Sequence, residues 1–132
     1  MITQVFTDFF DGKYDLNIGS NLFAETPSRS QFVLFKAPST YKLGQIDSLE
    51  LRKSYCKCFV QGYGILEGAT LAERLMREVY NIRGSFVISN PEMTETYEVK
   101  DIDVKILPHY VSDEGLNVYV FDFEVKYSQK IT

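Results

Sequence analysis

The sequence predicts an α+β domain: a mainly antiparallel sheet with a short amino-terminal helix and one central amphipathic helix packed on one face. Three observations predict it. Ten Phe and nine Tyr with no Trp, many in alternating runs, are the composition of a sheet-rich core. Two stretches instead carry apolar residues at helical spacing. Short returns separate the later alternating runs, which makes successive strands antiparallel. At 132 residues the chain has room for a single domain, residues 1–132. Its 45% hydrophobic and 24% charged content is that of a globular protein rather than a disordered or fibrous one.

Taken in order, Ile2, Val5, Phe6, Phe9 and Phe10 form one stripe of a short helix, with Gly12 placed to end it. The stretch from Lys13 to Ser30 mixes Asn, Gly, Ser and Pro27 and reads as irregular connection. Gln31 to Ala37 is a first strand, closed by Pro38, and Ser39 to Ser48 is expected to be an extended hairpin loop. Leu49 to Gly62 is a second strand. In it Leu49 and Leu51 share a face with Tyr55 and Phe59, against Cys56, Cys58 and Val60, a phase change that suggests a bulge or two halves burying different faces. Gly68 opens the main helix, whose stripe is Leu71, Ala72, Leu75, Met76, Val79, Tyr80 and Ile82, and Gly84 ends it. Ser85 to Ser89 is a short strand, followed by a turn at Asn90–Met93.

Tyr97 to Leu107 alternates, with Ile102, Val104 and Ile106 inward and Asp101, Asp103 and Lys105 outward, and Pro108 breaks the run. After a turn at Ser112–Gly115, Leu116 to Tyr127 holds Tyr119, Phe121, Phe123, Val125 and Tyr127 on one face. Its other face changes midway, from Leu116, Val118 and Val120 to Asp122, Glu124 and Lys126. Half of that face is expected to be covered by protein and half to be wet.

Fourteen Lys and Arg against eighteen Asp and Glu leave a formal charge of −4, which argues against a protein that grips nucleic acid by its phosphates. No apolar stretch approaches the ~20 residues of a membrane span. The amino terminus lacks the basic and apolar regions of a signal peptide, so the chain reads as made in a cytosol, without a membrane partner. Cys56 and Cys58 sit two apart in a strand, side chains on one face, and read as buried reduced thiols. A zinc site wants about four ligands, and His109 is the sole histidine. No metal or cofactor is expected.

Gly62-x-Gly64-x-x-x-Gly68 has the look of a phosphate-binding turn. It lacks the parallel strand and downstream acid such a turn needs, so turn glycines are the better reading. His109 has no local nucleophile, and no G-x-S-x-G occurs. The carboxylate pairs Asp101/Asp103 and Asp122/Glu124 fit the wet face of a strand better than a hydrolytic site. No catalytic constellation is present, and an enzyme is not expected.

The stretch Ser54-Tyr-Cys-Lys-Cys-Phe-Val-Gln-Gly-Tyr-Gly, followed by Gly68-Ala-Thr-Leu-Ala-Glu-Arg-Leu-Met-Arg-Glu-Val-Tyr-Asn-Ile-Arg, is a strand, a glycine turn and an amphipathic helix. It resembles the tail-terminator (tail-completion) proteins of long-tailed bacteriophages. These are similarly small, and the order of elements is similar over most of the chain. Cys56, Cys58, Val60, Ala69, Ala72 and Tyr80 fit the family's pattern of alternating apolar strand, polar turn and Ala-containing helix. The short first helix and the long stretch from Lys13 to Ser30 depart from it.

The resemblance implies a structural virion protein at the head–tail junction, assembled in the host cytoplasm. As a homo-hexameric ring it would cap the tail tube, stop its polymerisation and join tail to head. Its partners would be the tail tube protein and a head–tail connector protein, with DNA passing through the lumen without specific binding. A closed ring needs two different patches on each subunit. Candidates are a contact hairpin carrying Lys36, Tyr41, Lys42, Arg52 and Lys53, and a subunit interface of Leu116, Val118 and Val120. Asp101 and Asp103 are candidate lumen carboxylates, whose like charge would keep DNA from sticking. Two other readings stay open: a neighbouring head–tail connector or head-closure protein, and a monomeric domain that binds a protein or small ligand through its hairpin and glycine turn.

Overall fold

The computed structural model describes residues 1–130. Two helices, α1 (Thr3–Phe10) and α2 (Ile65–Val79), accompany six strands: β1 (Leu22–Ala24), β2 (Phe32–Ile46), β3 (Leu49–Gln61), β4 (Gly84–Ser89), β5 (Thr94–Asp113) and β6 (Leu116–Lys130). The strands form one sheet in the order β1-β2-β3-β6-β5-β4. Every pairing is antiparallel except β1 with β2. This is the α+β architecture expected from the sequence.

Alternation sorts the strand side chains onto two faces. Val33 and Phe35 of β2, Cys56, Cys58 and Val60 of β3, and Tyr119 to Tyr127 at odd positions of β6 form one buried cluster. The apolar stripes of both helices join that same cluster: Val5, Phe6 and Phe10 from α1, and Ala72, Leu75, Met76 and Val79 from α2. Phe6 meets Phe123 edge to face at 5.1 Å, and Phe10 stacks on Phe35 at 5.7 Å. Both helices therefore cover one face. The opposite face has its own small cluster of Phe23, Phe32 and Leu34, with Phe59 packed against it.

Several sequence expectations are corrected. β2 does not stop at Pro38, and Ser39–Ser48 is not a loop: β2 pairs with β3 as far as Ile46, and only Asp47 and Ser48 form the turn. β1 covers β2 only at Val33–Phe35, so beyond Lys36 the outer edge of β2 pairs with no strand. There a proline's missing donor costs no ladder bond. The register shift between Lys36 and Ser39 absorbs its ring. Pro108 is likewise accommodated within β5 by a shift between Ile106 and His109, where β4 no longer covers the edge.

β3 carries no bulge toward β6; its register runs unbroken from Leu49 to Gln61. The apparent phase change marks where the helices stop covering it. α2 begins at Ile65, not Gly68, and ends at Val79. The irregular stretch before β2 holds the short strand β1.

Candidate functional site

The distal halves of β2 and β3 make a hairpin arm at one end of the sheet, along which β3 stays paired with β6 as far as Leu49. Its five sequence candidates divide between the two faces. Tyr41 stands opposite Lys53, and Lys36 opposite Lys57, on the helix-free face; Lys42 stands opposite Arg52 on the other. Most of the cations are engaged within the chain. Arg52 donates Nε to Glu50 at 2.5 Å and Nη1 to Gln129 Oε1 at 2.5 Å. Lys53 Nζ lies 2.8 Å from Glu124, a hydrogen bond that raises the lysine's pKa. Lys42 Nζ donates to Gln45 at 2.8 Å.

Beside exposed Lys42, Gln45, Asp47 and Ser48, the arm presents several apolar side chains. Ile46 is 76% exposed, and Tyr41, Leu43 and Leu49 are nearly half exposed. Sequence reasoning missed Leu43, Ile46 and Leu49 because it placed the first two in a loop and the third in a buried strand. The signal available was the run of apolar residues on both sides of Asp47-Ser48.

The second candidate patch divides as well. Val118 and Val120 are buried within the subunit at 4% and 7% exposure, on the helix-free face, whereas Leu116 beside the β5–β6 turn is 39% exposed. Ile106, Leu107, Tyr110 and Val111 of β5 and Ile65 and Leu66 of α2 are also exposed. Tyr110 packs edge to face on Tyr119 at 5.4 Å and donates its hydroxyl to Asn117.

Asp101 and Asp103 point outward on the helix-free face, as expected, but not as a like-charged pair alone. They line a shallow depression with Glu124, Lys53, Lys105 and Lys126. Asp103 takes a hydrogen-bond-length contact from Lys105 at 2.7 Å, and Arg83 approaches Asp101 at 3.5 Å. Acidic and basic side chains alternate there and neutralise one another locally.

Asp122, read from sequence as wet, is 1% exposed. Tyr55 donates its hydroxyl to Asp122 Oδ2 at 2.5 Å, and Lys57 Nζ reaches the same oxygen at 2.9 Å. Oδ1 has no partner among the described residues. The hydrogen bond to Asp122 pushes the Tyr55 pKa up to about 12. Tyr55, Lys57 and Asp122 tie β3 to β6 at the point where the apolar half of this face gives way to the charged half.

Around Gly62–Gly68, packing accounts for Gly62 and Gly68. A Cβ on Gly62 would meet the Ser30 carbonyl oxygen at 2.8 Å, and its φ is +85°. A Cβ on Gly68 would meet the Tyr119 ring at 3.0 Å, and Tyr119 is pinned there by its hydroxyl bond to the Ile65 carbonyl. Cys56 and Cys58 are fully buried free thiols; burial pushes both pKa values up, which suppresses the reactive thiolate. A cleft beside the start of α1 is lined by Thr3, Glu25, Arg52, Glu95 and Tyr97. These groups bond to other groups of the chain: Thr3 to Glu25, the Ala37 amide to Glu25, and Tyr97 to Glu95.

Among the described residues, no group of three or more His, Cys, Asp or Glu is placed to hold a metal. No helix among the described residues is long and apolar enough to cross a membrane. Comparison of the chain with protein-family models and with curated proteins returns no match.

Proposed function

We propose that this protein is a ring-forming assembly subunit that works as phage tail terminators do. Copies close into a homo-hexamer on the end of a tail tube, block addition of further tube subunits and present a surface to a head–tail connector. One observation carries the reading. Among the exposed apolar side chains, two groups lie at opposite ends of the sheet: Tyr41, Leu43, Ile46 and Leu49 on the arm, and Tyr110, Val111, Leu116, Ile65 and Leu66 at the other end. β3 spans the distance between them, about 40 Å from Leu49 to Gln61 at ~3.3 Å per residue. Two different patches at opposite ends are what head-to-tail association requires, and such association closes into a ring when the rotation permits.

Light scattering after size exclusion tests it. A mass near six subunits is expected, with rings in negative stain, and Ile46→Asp on the arm should leave monomers. A wild-type chain that stays monomeric at every concentration and does not bind isolated tail tubes overturns the proposal and favours a monomeric binding module.

A further inference from the structure

The sheet leaves two stretches of strand edge unpaired, and they lie on a diagonal. On one side β1 covers only Val33–Phe35, which leaves the outer edge of β2 from Ser39 to Ile46 without a strand. That stretch lies level with Glu124–Lys130 of β6, through the shared partner β3. On the other side β4 covers β5 only up to Val99, which leaves β5 from Lys100 to Asp113 without one. That stretch lies level with Leu116–Lys126 of β6. Unpaired backbone donors and acceptors along a strand are a template for another strand.

We infer that the second strand is supplied by another copy of this chain: Ser39–Tyr41 of one subunit pairs with His109–Val111 of the next. The inference rests on the ring reading above and specifies its subunit contact. Three observations point to a second copy as the occupant.

The directions agree first. β2 runs toward the arm and β5 away from it, so two subunits in the same orientation meet as antiparallel strands, the pairing made throughout this sheet apart from β1 with β2.

The stagger fits next. The two open stretches are offset by about six residues, ~20 Å along the strand. With that stagger Tyr41 faces His109 and Ser39 faces Val111. The neighbour's β5–β6 turn then comes level with the end of β1, and its β4 lies beyond the arm tip, so the two short strands bracket the joint and do not obstruct it. Register shifts at Lys36/Ser39 and Lys42/Gly44 in β2, and at Ile106/His109 in β5, delimit these two regular runs and discourage any other register. A stagger of this kind closes on itself when the strands tilt to the ring axis, as in a barrel.

The side chains agree as well. Tyr41 and Leu43 on one edge, and Tyr110 and Val111 on the other, are exposed in the isolated subunit. Charge does not oppose the joint: neither Ser39–Tyr41 nor His109–Val111 carries an acid, a lysine or an arginine.

Paired cysteines test the joint. Tyr41→Cys with His109→Cys should give, on oxidation, a ladder of covalent multimers ending at the ring, while Tyr41→Cys with Val87→Cys on β4 should not. Cys56 and Cys58 are buried and stay silent. Hydrogen exchange on the unmodified chain gives an independent reading: amides within Ser39–Tyr41 and His109–Val111 should slow at least tenfold on assembly. An oligomer of ring mass with neither the cross-link nor the protection overturns the edge joint and leaves the ring. A chain that is monomeric with and without tail tubes overturns both.

Discussion

Asp122 is the residue whose environment departs furthest from its local pattern. A buried carboxylate is tolerated when partners offset its lost hydration, and here Tyr55 and Lys57 share one of its two oxygens. Because the neighbouring carboxylate disfavours the phenolate, the folded-state pKa of Tyr55 lies above the ordinary value of 10, at about 12. The raised pKa means this bond contributes its full stability below pH ~10 and loses it as pH rises through ~12. Titration of tyrosine absorbance should show Tyr55 ionising late, and Asp122→Asn should bring it back toward the ordinary range. If the titration curve is the same in the variant, the carboxylate does not govern Tyr55.

Gly68 makes a second residue-scale case. In an exposed helix Gly→Ala gains roughly 1 kcal/mol. Here the added methyl meets the pinned Tyr119 ring at 3.0 Å, so Gly68→Ala should cost about 1 kcal/mol through overpacking. In a Tyr119→Ala background the same change should become stabilising. Chemical denaturation of the four proteins of that cycle checks both signs. The glycine itself was visible in the sequence; its partner, 51 positions later, was not.

At the scale of elements, the β5–β6 hairpin turns on Glu114 and Gly115, with φ +47° and +81°. Positive φ at both central positions is the turn that matches the twist of paired strands, and Asn-Gly suits it best. Glu114→Asn should therefore stabilise the protein by about 0.5 kcal/mol, read as a raised denaturation midpoint with an unchanged slope; a lowered midpoint would contradict the turn assignment. Helices and strands were legible where apolar period was strong: α1 from Ile2, Val5, Phe6 and Phe10, and β6 from Tyr119 to Tyr127. Ends were less legible. Pro38 and Pro108 are strong local stop signals, yet both strands continue, because the missing amide falls on an edge with no neighbouring strand to bond.

At the scale of the whole molecule, the argument is about what the sheet leaves open. Two helices on one face, short strands at both margins and a long arm yield a subunit that is well packed internally and unfinished at two diagonal edges. The expected hexamer, and its loss on Ile46→Asp, belong to this scale, as does the cross-link between positions 41 and 109. Of the assembly residues proposed from sequence, Lys36, Tyr41, Lys42, Asp101, Asp103 and Leu116 keep an exposed position. Arg52 and Lys53 are drawn into ion pairs within the subunit, and Val118 and Val120 into its interior.

The sequence by itself determined the two helices and the strands of strong apolar period, and which face of each is apolar, since period and composition act over a few neighbouring residues; β1 and the distal half of β2, which lack that period, were not legible in it. It also determined the α+β class, because short returns leave successive strands antiparallel. The tertiary structure alone decided which polar residues are buried, which edges stay unpaired and where the arm leaves the core. Those outcomes depend on where β1, β4 and the helices end against strands far away in the chain, and a local pattern carries no record of such distant partners.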